Sequence, residues 1–215
     1  MIDVTFASVE EAVRILHGIA HYTLVLTSCQ FDALTGTRII LKREIFQRVG
    51  AFRFRGAYHA IARLMSLQPS CVFAAISSGN HGQGLALACR RTGATAHIVM
   101  PKPYSAMEHR AVLGYGAQVH VVEDRNCTEV KFRELVGDYQ AVVVYPFNDP
   151  FVIAGQGAVM VEFVDHVADL DIVLAPSRGG ALSGLCLAAE ALRSLIAIFA
   201  CEPEPSGALD AMDSV

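Results

Sequence analysis

Cys71-Val72-Phe73-Ala74-Ala75-Ile76, followed by Ser77-Ser78-Gly79-Asn80-His81-Gly82-Gln83, is the stretch on which the fold turns. The first six residues are an apolar run of strand length. Leu85-Ala86-Leu87-Ala88-Cys89 beyond them reads as a buried helix closed by Gly93. Between the two lies a tight loop of small residues with hydroxyls and an amide. Backbone N–H groups at a helix start carry partial positive charge, and glycines let a ligand approach the main chain, so the loop reads as an anion cradle. The same residues also read as an ordinary strand-to-helix turn with Asn80 as N-cap.

Working outward, strands and helices alternate from residue 71 onward. Ala96 to Met100 is a strand stopped by Pro101, and Ala106 to Leu113 a helix stopped by Gly114. Val119 to Val122 and Ala141 to Tyr145 read as strands around a helix from Thr128 to Val136. After Phe147-Asn148-Asp149-Pro150 come a helix to Asp165, the strand Ile172 to Ala175, a glycine loop, the helix Leu182 to Leu192 and the strand Ile196 to Ala200. Near-continuous β-branched and apolar strands belong to parallel sheets covered on both faces, which predicts an α/β fold with doubly wound sheets. Before residue 71, Ser8 and Glu11 form a capping-box pattern for a helix running to His17. A polar turn follows Val25 to Ser28, Arg38 to Lys42 is a short strand, and Tyr58 to Met65 is helical.

Composition narrows the function classes. The 215 residues are 53% hydrophobic and 18% charged, which argues against disorder. A net charge of −4 gives no electrostatic footprint for nucleic acid. Met1-Ile2-Asp3 lacks a basic n-region, and no apolar run has spanning length, so neither a signal peptide nor a membrane span is expected. Six scattered cysteines without zinc spacing point to reduced thiols and a cytoplasmic protein. His59, His97, His109 and His120 show no ligand spacing either.

A second loop, Pro176-Ser177-Arg178-Gly179-Gly180-Ala181-Leu182, also follows a strand and opens a helix. Its backbone N–H groups, with the Ser177 hydroxyl and the Arg178 charge, suit a phosphate. Neither loop is the dinucleotide fingerprint or a P-loop. Gly155-Gln156-Gly157 forms a third glycine pair.

Taken in order, Leu26-Thr27-Ser28, Ala51 to Ala57, Ser77 to Gln83, Met100-Pro101, Gly114 to Ala117, Pro146 to Pro150, Ala154 to Gly157 and the loop near Gly180 resemble the fold-type II pyridoxal-phosphate enzymes. The resemblance is to the serine/threonine dehydratase and serine racemase branch of the tryptophan synthase β-like fold. It implies two lobes: residues 1–72 and 151–215 in the large one, 73–150 in the small one. It implies an ancestral deamination of serine or threonine to a 2-oxo acid, or racemisation. Asn80 would bond the cofactor ring oxygen, with Phe52 also among the cofactor-binding residues. Ser77, Ser78, Gly79, Asn80 and His81 would hold the substrate carboxylate, and Ser78 would face the imine residue across the ring. Arg178, Gly179, Gly180, Ala181 and Leu182 would hold the phosphate, and Glu202 would help bind a divalent cation. A homodimer is left open.

The sequence departs from that pattern where the chemistry is most exacting. Arg53 stands at the position of the imine-forming lysine, and Ala51 replaces the serine before it. A guanidinium has a pKa above about 12, and neutralising it at pH 7 costs on the order of 7 to 9 kcal/mol. Arginine therefore replaces that lysine neither as imine former nor as proton shuttle, and covalent cofactor attachment is not expected. Lys42, Lys102 and Lys131 are the only lysines, and none lies in the motif. Arg178 and Ala181 replace the outer two of four glycines, Ile45 and Leu24 stand where asparagine and proline are common, and Val215 comes well before the end of typical members. The expectations are an impaired relative, a non-catalytic binder of a carboxylate, phosphate or partner subunit, or a truncated product with an incomplete large lobe.

Overall fold

The computed structural model describes residues 3–69, 71–176 and 179–202. At its centre is a parallel sheet made of β3 (Val72–Ile76), β4 (Thr95–Pro101), β5 (Gln118–Val122) and β6 (Val142–Val143), in the order β5-β4-β3-β6. The chain winds from β3 through β4 to β5 on one side and returns to β6 on the other. The winding thus reverses between β3 and β6, where Phe73 lies opposite Val142. In open parallel sheets this reversal leaves a crevice beyond the carboxyl ends of the strands. The loops after β3 and β6 both open into it.

Two smaller sheets flank this one in sequence. β1 (Val25–Thr27) pairs antiparallel with β2 (Ile40–Lys42), and β7 (Ile172–Ala175) pairs in parallel with β8 (Ala197–Ala200). The helices are α1 (Phe6–Leu16), α2 (Cys29–Thr35), α3 (Arg53–Leu67), α4 (Asn80–Thr92), α5 (Ala106–Gly114), α6 (Thr128–Tyr139), α7 (Pro150–His166) and α8 (Gly180–Leu192).

Glycines set how closely α3, α4, α7 and α8 pack. A Cβ on Gly155 would stand 2.7 Å from the Gly56 Cα, so α7 and α3 touch backbone to backbone. A Cβ on Gly157 would stand 2.8 Å from the Gly184 carbonyl oxygen, which brings α8 equally close to α7. Gly84 of α4 rests against the Arg53 main chain at 3.3 Å on the same test. Around these crossings Phe54, Ile61, Phe73, Leu85, Ile98 and Val152 form the largest core cluster. Contact area and dispersion at that density stabilise the crevice walls.

The local differences from sequence expectation have physical causes. Helix α1 starts at Phe6 because Thr5 and Ser8 make the capping box, three residues ahead of the Ser8 and Glu11 pattern. The expected polar turn after Ser28 is helix α2, where Ser28 accepts from the Phe31 N–H and left-handed Gly36 closes the end. Helix α3 begins at Arg53, five residues before Tyr58, because its first turn is held by α4 and α7 rather than by an amphipathic stripe. Strand β6 is shortened to two residues because only Phe73 and Ala74 pair with it.

Candidate functional site

Strand β3 delivers Ser77 to the crevice, and the loop beyond it organises itself around that hydroxyl. The Ser77 Oγ accepts from the Gly79 N–H at 3.2 Å and the Gly82 N–H at 2.9 Å. Gly79 is the N-cap of α4, and no side chain caps it. Asn80, expected as the N-cap, is instead the first helical residue and is exposed. Among the described residues, the backbone N–H groups of Ser78, Asn80 and His81 meet no acceptor, and the side chains of Ser78 and Asn80 make no hydrogen bond. A helix start with open N–H groups and free polar side chains is an anion-binding arrangement.

His81, 5% exposed, forms the wall behind this loop. Its Nε2 lies 3.0 Å from the Val144 carbonyl oxygen. That carbonyl only accepts, so Nε2 carries the proton and Nδ1 is left as a lone-pair acceptor. Nδ1 is buried and without a partner among the described residues. Burial pushes the imidazole pKa down to about 4; the Val144 carbonyl opposes this and the Arg53 charge reinforces it.

Arg53 enters from the first position of α3. Its Nη1 donates to the Pro146 carbonyl oxygen at 2.7 Å, and its guanidinium carbon lies 5.0 Å from the ring centroids of both Phe52 and Phe147. Two aromatic faces and one carbonyl hold the cation in place. Burial lowers its pKa. Phe147 continues the wall to α8: a Cβ on Gly179 would stand 3.2 Å from the Phe147 Cβ, and one on Gly180 would overlap the Phe147 carbonyl oxygen. Gly179 has φ +54° and ψ −122°, a conformation that L side chains avoid. Ala181 is buried and Leu182 half-buried in the first turn of α8, while Arg178 and Ser177 lie outside the described residues. Arg53 thus stands next to Phe52, reaches the Gly179–Gly180 turn through Phe147, and acts on His81 of the Ser77–His81 loop.

The lysines are engaged elsewhere. Lys42 donates to Glu162 Oε2 at 2.7 Å and to the Thr23 carbonyl at 2.5 Å. Glu162 also takes two hydrogen bonds from Arg55, at 2.6 and 2.8 Å, and Glu44 takes two more, at 2.8 and 2.9 Å. Burial alone would lower the Arg55 pKa, but the bonds to Glu44 and Glu162 outweigh it and raise it. For Lys42, burial wins over Glu162 and lowers the pKa. Lys102 pairs with Glu123 and Lys131 with Glu134, both on the surface.

Glu202 follows β8, and no group of three His, Cys, Asp or Glu suited to a metal ion occurs among the described residues. No helix among them is long and apolar enough to cross a membrane. One residue of the crevice escaped sequence reasoning. A Cβ on Gly79 would stand 3.4 Å from Glu108 Oε1, so this half-buried carboxylate of α5 abuts the α4 start. Nothing in the local pattern of α5 signals that neighbour.

Comparison with known proteins bears on the family and the fold. The family described as "Pyridoxal-phosphate dependent enzyme" matches residues 19–213. Serine racemase of Bos taurus is 34% identical over 205 residues, covering 93% of this chain and 61% of the relative. L-threo-3-hydroxyaspartate ammonia-lyase of Saccharomyces cerevisiae is 38% identical over 208 residues, covering 95% of this chain and 63% of the relative. The chain thus spans about three-fifths of the length of these curated relatives. A crystal structure of a pyridoxal 5'-phosphate-dependent aspartate racemase superposes with a TM-score of 0.93 at 31% identity, over 100% of this chain and 67% of that one.

Proposed function

The chain belongs to the pyridoxal-phosphate dependent enzyme family, within a fold shared with serine racemases and ammonia-lyases, and from that premise we propose that it binds a small amino acid or carboxylate in this crevice without covalent cofactor chemistry. The observation that carries the proposal is Arg53, fixed by Pro146, Phe52 and Phe147 at the place where the family motif puts an amine. The site fits the family cofactor at one end only. The start of α8, which no side chain caps, suits a phosphate, whereas the aldehyde end meets a guanidinium that forms no imine. No bond-making step is assigned to that group, and any pyridoxal phosphate taken up rests in the crevice unattached.

In this proposal Ser77 shapes the loop, Ser78 and Asn80 touch the ligand, and Arg53 supplies the fixed positive charge. Charge-assisted hydrogen bonds from a guanidinium and open N–H groups are the strong kind, so carboxylate binding survives loss of the imine. The test is isothermal calorimetry with L-serine and L-threonine, beside an assay for 2-oxo acid with pyridoxal phosphate supplied. Saturable binding without 2-oxo acid is expected; sustained 2-oxo acid release would overturn the proposal.

A further inference from the structure

A crevice that forms no imine leaves the ammonium group of an amino acid intact, and an ammonium taken out of water needs an acceptor. The loop offers a ligand no negative charge: the N–H groups of Ser78, Asn80 and His81 and, beyond them, Arg53 are donors, and the Ser78 hydroxyl and Asn80 amide are neutral. Two acceptors border the same helix start. The Glu108 carboxylate lies against Gly79, is half-buried and makes no hydrogen bond or ion pair among the described residues. His81 Nδ1, on a side chain 95% buried, is an acceptor with no donor.

We propose that Glu108 is the counter-charge for the ligand's α-ammonium, so that the crevice selects an intact zwitterionic α-amino acid. The inference rests on the non-covalent binding argued above and deepens it. The ligand's carboxylate goes to the α4 N–H groups and Arg53, and its ammonium to Glu108, with Nδ1 of His81 as second acceptor. A ligand with a second carboxylate is disfavoured, because that group would share the crevice with Glu108. Glu108 also stands in the first turn of α5, where a carboxylate is stabilised by the helix end without any ligand. Ligand discrimination separates that purely structural role from recognition.

The test compares L-serine with L-glycerate, which carries a hydroxyl in place of the ammonium, by calorimetry on the full chain. Unmodified protein is expected to bind serine at least about tenfold more tightly than glycerate, the worth of one charged hydrogen bond. Glu108→Gln is expected to bring the two affinities together by weakening serine and leaving glycerate unchanged or tighter. Equal affinities in the unmodified protein, or a variant that weakens both ligands equally, would overturn the role of Glu108 while leaving the binding function standing. Failure of both ligands to bind folded, unmodified protein would overturn the binding function itself, and this inference with it.

Discussion

Arg53 Nη1 donates to the carbonyl oxygen of Pro146 at 2.7 Å, tying the first residue of α3 to the loop after β6 across 93 positions of sequence. Because Phe147, the next residue, stacks on the same guanidinium and packs against Gly179 and Gly180, this one contact links three walls of the crevice. A lysine ammonium in its place would be a compact point charge without a planar face to stack.

Arg53→Ala removes both the crevice cation and the Pro146 bond. Carboxylate binding is expected to weaken by about tenfold or more, since hydrogen bonds to charged groups contribute about 1.5 to 3 kcal/mol. Titration calorimetry on the variant checks this. Unchanged affinity would place the carboxylate elsewhere.

Glu162 answers two cations, Lys42 and Arg55, inside the protein. Glu162→Ala leaves both of them short of a partner, and breaking a buried pair from one side costs about 3 to 5 kcal/mol. Urea unfolding is expected to show a loss of that order. A change below about 1 kcal/mol would mean that water reaches the cluster.

Gly155 and Gly184 lie at backbone-to-backbone crossings, whereas a Cβ on Gly137 in α6 would meet nothing within 4 Å. Gly155→Ala and Gly184→Ala should each destabilise by about 1 to 3 kcal/mol through overpacking. Gly137→Ala should be neutral or stabilising by up to about 1 kcal/mol from helix propensity alone. Thermal melts of the three variants give the comparison.

His81 is buried in its neutral form, its pKa pushed down to about 4 from 6.5. The unfolded chain therefore binds the proton first as pH falls. The stability it contributes is complete above about pH 6.5 and is lost as pH drops toward 4, by on the order of 3 kcal/mol. His81→Asn should flatten that part of the stability profile, measured by urea titration between pH 7 and 4.5. A variant whose profile parallels the unmodified protein would assign the acid sensitivity to other groups.

Much of this fold was legible in the sequence because the central strands are unbroken apolar runs punctuated by glycine and proline. Val72–Ile76 and Thr95–Pro101 sit where their patterns predict. The departures occur where tertiary contacts decide. The first turn of α3 has no periodic signal and forms because Gly84 and Gly155 allow two helices to close on it. The Ser77–His81 loop was readable as a strand-to-helix turn from its small residues. Its actual wiring, with the Ser77 hydroxyl serving Gly79 and Gly82, depends on the turn that brings those N–H groups inward. Glu108 was invisible for a different reason: 29 positions separate it from Gly79, and only the packing of α5 on α4 makes them neighbours.

The central claim is that this crevice forms no imine. Unmodified protein and Arg53→Lys, each treated with limiting pyridoxal phosphate and then borohydride, can be compared by intact mass and peptide mapping. The unmodified chain is expected to carry no stoichiometric pyridoxyl adduct, and Arg53→Lys to gain one at residue 53. A saturable, stoichiometric adduct on Lys42, Lys102 or Lys131 of the unmodified protein, with an aldimine absorbance band that borohydride abolishes, would contradict it.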